Sequence, residues 1–175
     1  MSILLAWLGN TDLRASETQD LVEHGPILGA AKAMPFDSVH LLSDHPTSKS
    51  SAYVKWLEGE TNTSVTLHPA KLTSPTSHEE IYRAATQVIQ SVRSAHPEAD
   101  LTFHLSPGTP AMAAIWLLLA KTHFPARLIE SSREQGVQEV SIPFELSAEF
   151  VPVAKEADEA LARLMQGLPP ETPAF

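Results

Sequence analysis

Five short apolar runs, at residues 2–8, 39–43, 65–68, 101–105 and 127–131, leave this chain few folds to choose from. The first four end in small polar or proline-bearing turns, and all four lead toward stretches of helical spacing. Runs this short, apolar at successive positions, read as strands covered on both faces. Strands that alternate with helices require right-handed crossovers and a parallel, doubly wound sheet. Pro26 opens the first helical stretch through Ile27, Leu28, Ala30, Ala31 and Met34. Thr47 or Ser48 caps the next, which carries Tyr53, Val54, Trp56 and Leu57 as far as Gly59. Ser77 and Glu80 form a capping-box pattern ahead of Ile81, Ala85, Val88, Ile89 and Val92. A fourth helix, apolar all round, runs from Ala111 to about His123 and needs cover on two sides. Residues 137–143 return against the fifth strand as a hairpin, and residues 154–166 form a terminal amphipathic helix closed by Gly167. The expected fold is α/β: a Rossmann-like, mainly parallel sheet with helices on both faces and an antiparallel hairpin edge.

The 175 residues fit one domain, and 43% apolar content is enough for a buried core. With 12 Lys and Arg against 21 Asp and Glu, the net charge of −9 argues against a broad grip on duplex DNA or RNA. An anionic ligand must be held locally. No apolar run approaches the ~20 residues that cross a bilayer, and Met1 leads into a strand without a basic leader. The absence of Cys removes disulfides and thiolate sites, which fits a cytoplasmic protein. There is no Gly-x-Gly-x-x-Gly, no Walker loop and no His-Glu-x-x-His, so the sequence implies neither a cofactor nor a metal.

In an open sheet of this kind, ligands collect beyond the carboxyl ends of the strands where strand order reverses, here between the first and fourth strands. Two loops face each other there: Gly9-Asn10-Thr11-Asp12, and Ser106-Pro107-Gly108-Thr109-Pro110-Ala111-Met112. The second leads into a helix whose free amides near Ala111 and Met112 suit a phosphate, with Gly108 permitting close approach. The same residues also serve as a plain helix start, Thr109 capping and Pro110 first in the helix. Asn10, Thr11 and Asp12 suit a ribose or a base edge, or simply an Asx-turn that ends a strand. Ser43, Asp44 and His45 follow the second strand, and Ser131, Ser132 and Arg133 follow the fifth, as candidate side walls. Arg14 and Arg133 are the nearest candidate cations for a phosphate. His104, next but one to Ser106, is either half of a nucleophile–base pair or a packed core histidine.

The first strand ends Trp7-Leu8-Gly9-Asn10-Thr11-Asp12, and the fourth ends Phe103-His104-Leu105-Ser106-Pro107-Gly108-Thr109-Pro110-Ala111-Met112. This pattern resembles the CARF (CRISPR-associated Rossmann fold) domains and, more closely, the amino-terminal sensor region of RtcR-type sigma-54-dependent activators, which control RNA-repair genes. The resemblance implies a homodimer that brings these loops together across a twofold axis. It implies a cyclic oligoadenylate, or an RNA end bearing a 2′,3′-cyclic phosphate, as ligand. Asn10, Thr11 and Asp12 match the family's first ligand loop; Ser106, Gly108, Thr109 and Met112 match the second, with Pro107 between them. Many members carry Lys or Arg after the Gly-Thr/Asn pair, where this chain has Pro110 and Ala111. The implied organisation is a sensor domain over residues 1–150, a helix over 151–168, and a linker over 169–175 toward an AAA+ ATPase.

Two other function classes fit the same residues. Some family members cleave the ring they bind without a metal, which here would use hydroxyls of Thr11, Ser43, Ser106 and Thr109. A dimerisation module without ligand would use the Trp116-Leu117-Leu118-Leu119 face alone.

Overall fold

A computed structural model describes residues 1–18 and 24–143 of the chain. In chain order they form β1 (Ser2–Trp7), α1 (Asn10–Thr18), α2 (Pro26–Ala33), β2 (Ser38–Ser43), α3 (Thr47–Thr61), β3 (Ser64–Pro69), α4 (His78–Ala95), β4 (Asp100–His104), α5 (Pro110–Thr122), β5 (Arg127–Ser132) and β6 (Gly136–Glu139). The strands make one sheet in the order β3-β2-β1-β4-β5-β6. Every pairing is parallel except β5 with β6. This is the Rossmann-like architecture expected from the alternation of apolar runs and helical stretches. The order reverses between β1 and β4, which pair in register from Ser2↔Asp100 to Leu5↔Phe103. The expected helix over 154–166 and the segment beyond it lie outside the described residues.

Side-chain alternation along β1 divides the core into two layers. Leu4, Ala6 and Leu8 pack with Leu13 of α1, Ile27 and Leu28 of α2, and Tyr53 and Leu57 of α3. Leu5 and Phe103 are partners across the strands, and Phe103 stacks on Trp116 of α5 with ring centroids 4.6 Å apart. The opposite face of the sheet is therefore covered by α5, with α4 beside it. The apolar run of α5 does not need cover all round: Ile115, Trp116 and Leu119 are buried, while Leu118 is 40% exposed.

Local differences from expectation each have a physical reason. Residues 10–12 are not a loop; they are the first turn of α1, a helix with little apolar periodicity, since only Asp12, Leu13 and Ala15 are buried. Gly59 does not end α3, which continues to Thr61 and stops where Asn62 takes a left-handed conformation (φ 53°). Neither Thr47 nor Ser48 caps α3; Pro46 holds that position without a side-chain bond. The Ser77–Glu80 capping box does not form, because the Glu80 carboxylate accepts from the Thr73 amide at 2.7 Å and the Thr73 hydroxyl at 2.9 Å. β6 ends at Glu139 rather than continuing to Pro143, with one further backbone bond from the Val140 amide to the Leu128 carbonyl.

Candidate functional site

The carboxyl ends of β1 and β4 deliver two glycines to the same place. A Cβ on Gly9 would lie 2.8 Å from the Gly108 amide nitrogen, so side chains are excluded at this contact and the two loops meet backbone to backbone. Gly108 has φ +88°, a conformation that L-residues rarely adopt. It lies directly over Trp7 and Met112: a Cβ placed on it would be 3.1 Å from Trp7 Cβ and 2.6 Å from Met112 Sδ. Around this contact lies a half-open cleft of about 250 Å³. Its walls include Asn10, Thr11 and Asp12 from α1, Asp44 and His45 after β2, and Ser106, Pro107, Gly108, Thr109 and Met112 ahead of and within α5.

Each wall is held by identifiable bonds. Thr109 Oγ1 accepts from the Met112 amide at 3.3 Å and donates to the Pro75 carbonyl at 2.8 Å, which ties the start of α5 to the loop before α4. Its own amide donates to Met112 Sδ at 3.3 Å. Capping and cleft formation thus coexist at Thr109. Ser106 Oγ accepts from the Ser131 amide at 2.6 Å and donates to the Ser131 carbonyl at 3.1 Å. His45 Nε2–H donates to the Leu8 carbonyl at 3.0 Å, and the His45 amide donates to Ser43 Oγ at 3.2 Å.

Two helices point their amino ends at the cleft. In α1 the first intrahelical bond runs from Leu13 to the Gly9 carbonyl, and in α5 from Ala113 to the Thr109 carbonyl. In α5 the Met112 amide is taken up by Thr109 Oγ1 and Pro110 has none, which leaves the Ala111 amide without an acceptor inside its helix, and both macrodipoles present positive ends. Among the described residues that line the cleft there is no Lys or Arg. An anion here is served by backbone amides rather than by cationic side chains.

Asp12 is the least expected element. It is fully buried. Oδ1 accepts from the Ile27 amide at 2.9 Å, so Asp12 supplies the cap that Gly25 cannot give to α2. Oδ2 is buried without a hydrogen-bond partner. Burial pushes its pKa up to about 7, against the opposing pull of backbone amides, that of Ile27 foremost. Tyr53, buried beneath, is raised well above its usual range by burial and by the charge of Asp12.

Of the residues singled out from sequence, Asn10, Thr11, Asp12, Asp44, Ser106, Pro107, Gly108, Thr109 and Met112 border one cleft. Ser43, Ser131, Arg14 and Arg133 do not. Ser43 Oγ is occupied with Ser50 Oγ at 2.8 Å, and Ser131 Oγ with His104 Nε2 at 2.8 Å. Arg14 is exposed on α1 and Arg133 is exposed in the β5–β6 turn. His104 is a buried core histidine, its pKa lowered to about 4 by desolvation, with its Nε2 on Ser131 rather than on Ser106. Pro26 and Pro75 complete the cleft wall from segments that read only as a helix start and a turn. The signal for Pro75 was its place after β3, at the same edge of the sheet. Among the described residues no group of three or more His, Cys, Asp or Glu is arranged to hold a metal, and no helix is long and apolar enough to cross a membrane.

The family model described as regulator of RNA terminal phosphate cyclase, RtcR, matches residues 20–146. No curated protein matches the chain. Among solved structures, Enterococcus italicus Csm6 bound to cyclic hexa-2′-fluoro-hexa-dAMP superposes with a TM-score of 0.64 at 18% identity, covering 100% of this chain and 41% of that one. Can2 from Sulfobacillus thermosulfidooxidans in complex with cyclic tetra-adenylate gives 0.55 at 15% identity, covering 79% of this chain and 35% of that one. VC1899 from Vibrio cholerae gives 0.58 at 9% identity, with coverage of 79% and 33%. The chain thus spans about two fifths or less of these proteins, and the likeness is one of fold.

Proposed function

From a chain that belongs to the RtcR family, the regulators of RNA terminal phosphate cyclase, and has the Rossmann-like fold of CARF domains, we propose a ligand-sensing regulatory domain whose cleft takes an RNA-derived phosphodiester. The ligand is a cyclic oligoadenylate or an RNA end with a 2′,3′-cyclic phosphate. The observation that carries this reading is the backbone contact of Gly9 with Gly108, which aims the amino ends of α1 and α5 at one cleft. The neighbours Csm6 and Can2, each in complex with a cyclic nucleotide oligomer, support the ligand chemistry.

A homodimer is part of the proposal. One cleft of about 250 Å³ is smaller than the ~300–1,000 Å³ usual for small-molecule sites, and two facing each other about a dyad reach that range. Ligand contacts at the amino end of α5 then bias the packing of protomers, provided the two arrangements differ in affinity. In the proposed organisation, the described residues form the sensor of a cytoplasmic regulator. Duplex DNA is not contacted by this region.

Cleavage of the ring is a less favoured reading. Three of its four candidate hydroxyls, Ser43, Ser106 and Thr109, already hold the fold together through short hydrogen bonds. Titration calorimetry with sedimentation velocity tests the proposal, using cyclic tetra- and hexa-adenylate and a short RNA with a 2′,3′-cyclic-phosphate end. One bound ring per two chains, or one RNA end per cleft, is expected, with the rings intact after incubation in EDTA. Dimerisation without binding any probe leaves a pure assembly module; linear products make the domain a ring nuclease.

A further inference from the structure

This inference rests on the reading above and names a residue that selects the ligand. The cleft has two chemically opposite sides. On one stand the amino ends of α1 and α5, which favour an anion. On the other, the turn after β2 carries Asp44 and His45, both half-buried and both lining the cleft. His45 Nε2–H is taken by the Leu8 carbonyl at 3.0 Å, so in the neutral ring the other nitrogen is an acceptor. The Asp44 carboxylate is an acceptor too, with no hydrogen-bond or ion-pair partner among the described residues.

The fold gives an acid at position 44 no structural task. Its neighbour closes the turn, Ser43 Oγ accepting from the His45 amide at 3.2 Å, and α3 begins at Pro46 without a side-chain cap. An unpaired carboxylate beside a site for an anion repels the ligand unless the ligand brings it a donor. A ribonucleotide carries such a donor next to its phosphodiester, the 2′-hydroxyl; the amino group of an adenine lies at the far end of the nucleotide. The Asp44–His45 turn is near the phosphate end of the cleft. His45 is tied to Leu8, the residue before Gly9, and Gly9 meets Gly108 where the two helix starts converge.

We propose that the Asp44 carboxylate accepts a hydrogen bond from a ribose 2′-hydroxyl beside the bound phosphodiester, so that the cleft selects ribonucleotides over sugars lacking that hydroxyl. The hydrogen bond is charge-assisted and therefore strong. A ligand without the donor loses it and also leaves the carboxylate unpaired against its own charge. The two bonds of His45, ring to Leu8 and amide to Ser43, hold the turn in place for this contact.

The test measures affinity of the full chain for cyclic hexa-adenylate and for the cyclic-phosphate-ended RNA, each with its free 2′-hydroxyls intact or replaced by fluorine. Fluorine keeps the ribose pucker and cannot donate. Wild type binds the hydroxyl form at least about tenfold more tightly. Asp44→Ala removes no side-chain bond among the described residues, so its urea midpoint stays at the wild-type value. It binds both forms within about twofold of each other, and the fluorinated form no more weakly than wild type does. A wild type that binds the two forms equally overturns the inference and leaves the functional reading standing. A preference that survives in Asp44→Ala places the hydroxyl elsewhere and also overturns it. A fluorinated form that weakens together with the hydroxyl form in Asp44→Ala makes the residue a structural prop, which overturns it as well. No binding of any probe overturns both.

Discussion

Ser106 Oγ closes two hydrogen bonds with the backbone of Ser131, accepting from its amide at 2.6 Å and donating to its carbonyl at 3.1 Å. One side chain thereby extends the pairing of β4 with β5 beyond its last registered pair, His104↔Ile129, and fixes where the loop toward Gly108 begins. Ser106→Ala removes both bonds and should cost about 1–3 kcal/mol, because two part-buried backbone groups lose their partner. Urea unfolding checks the loss. Weaker ligand binding should accompany it, and an unchanged midpoint would show that the clamp contributes nothing.

Gly108 and Gly136 both have positive φ, +88° and +69°, but only Gly108 is crowded. At Gly136 nothing lies within 4 Å of the position a Cβ would take, whereas at Gly108 Met112 Sδ and Trp7 Cβ stand in the way. Gly136→Ala should lose roughly 1 kcal/mol to backbone conformation alone. Gly108→Ala should lose about 2–4 kcal/mol, since the loop or the Met112 side chain must also move. Equal midpoints for the two variants in thermal or urea unfolding would refute the packing argument.

Buried titratable groups give stability two opposing pH slopes. His104 and His40 are both lowered to about 4, by desolvation first, with the charges of His68 and His96 adding to it at His40. The folded state then binds fewer protons than the unfolded chain, and stability falls as pH drops from about 6.5 toward 4. Asp12 is raised to about 7, so the folded state binds more protons, and stability falls as pH rises from about 4 to 7. Asp12→Asn should therefore gain on the order of 1–2 kcal/mol at pH 8 and little at pH 4. His104→Gln should flatten the acid limb. Urea unfolding at pH 4.5, 6 and 8 separates these contributions, and parallel profiles for all three proteins would contradict the assignments.

The sheet was legible because its central strands β1, β2 and β4 are buried on both faces and so read as near-continuous apolar runs; the order reversal between β1 and β4, and with it the position of the cleft, follows from the alternation of strands with helices. α1 was not legible. Its first turn is Asn10-Thr11-Asp12, and its inward face offers only Leu13 and Ala15 beside a buried acid. Its place is set from a distance, by the bond from the Ile27 amide to Asp12 Oδ1, 15 residues away. Glu80 shows the same limit: a local capping pattern lost to Thr73, which the β3–α4 connection brings within reach. Hydroxyls were the hardest to read. Thr11, Ser106 and Thr109 border the cleft, but Ser43 and Ser131, similarly small and polar at strand ends, do not, and their hydroxyls bond Ser50 and His104.

Asn10 is exposed at the cleft mouth, so Asn10→Trp fills the cleft without touching the core. The ligand-binding role of the cleft is decided by calorimetric titration of wild type and this variant with cyclic tetra-adenylate, cyclic hexa-adenylate, and one RNA ending in either a 2′,3′-cyclic phosphate or a free 3′-hydroxyl. Expected are saturable binding of a ring or of the cyclic-phosphate end by the wild type, no binding of the hydroxyl end, and loss of binding in the variant. Binding that survives intact in Asn10→Trp, or a wild type that binds none of these probes, would contradict that role.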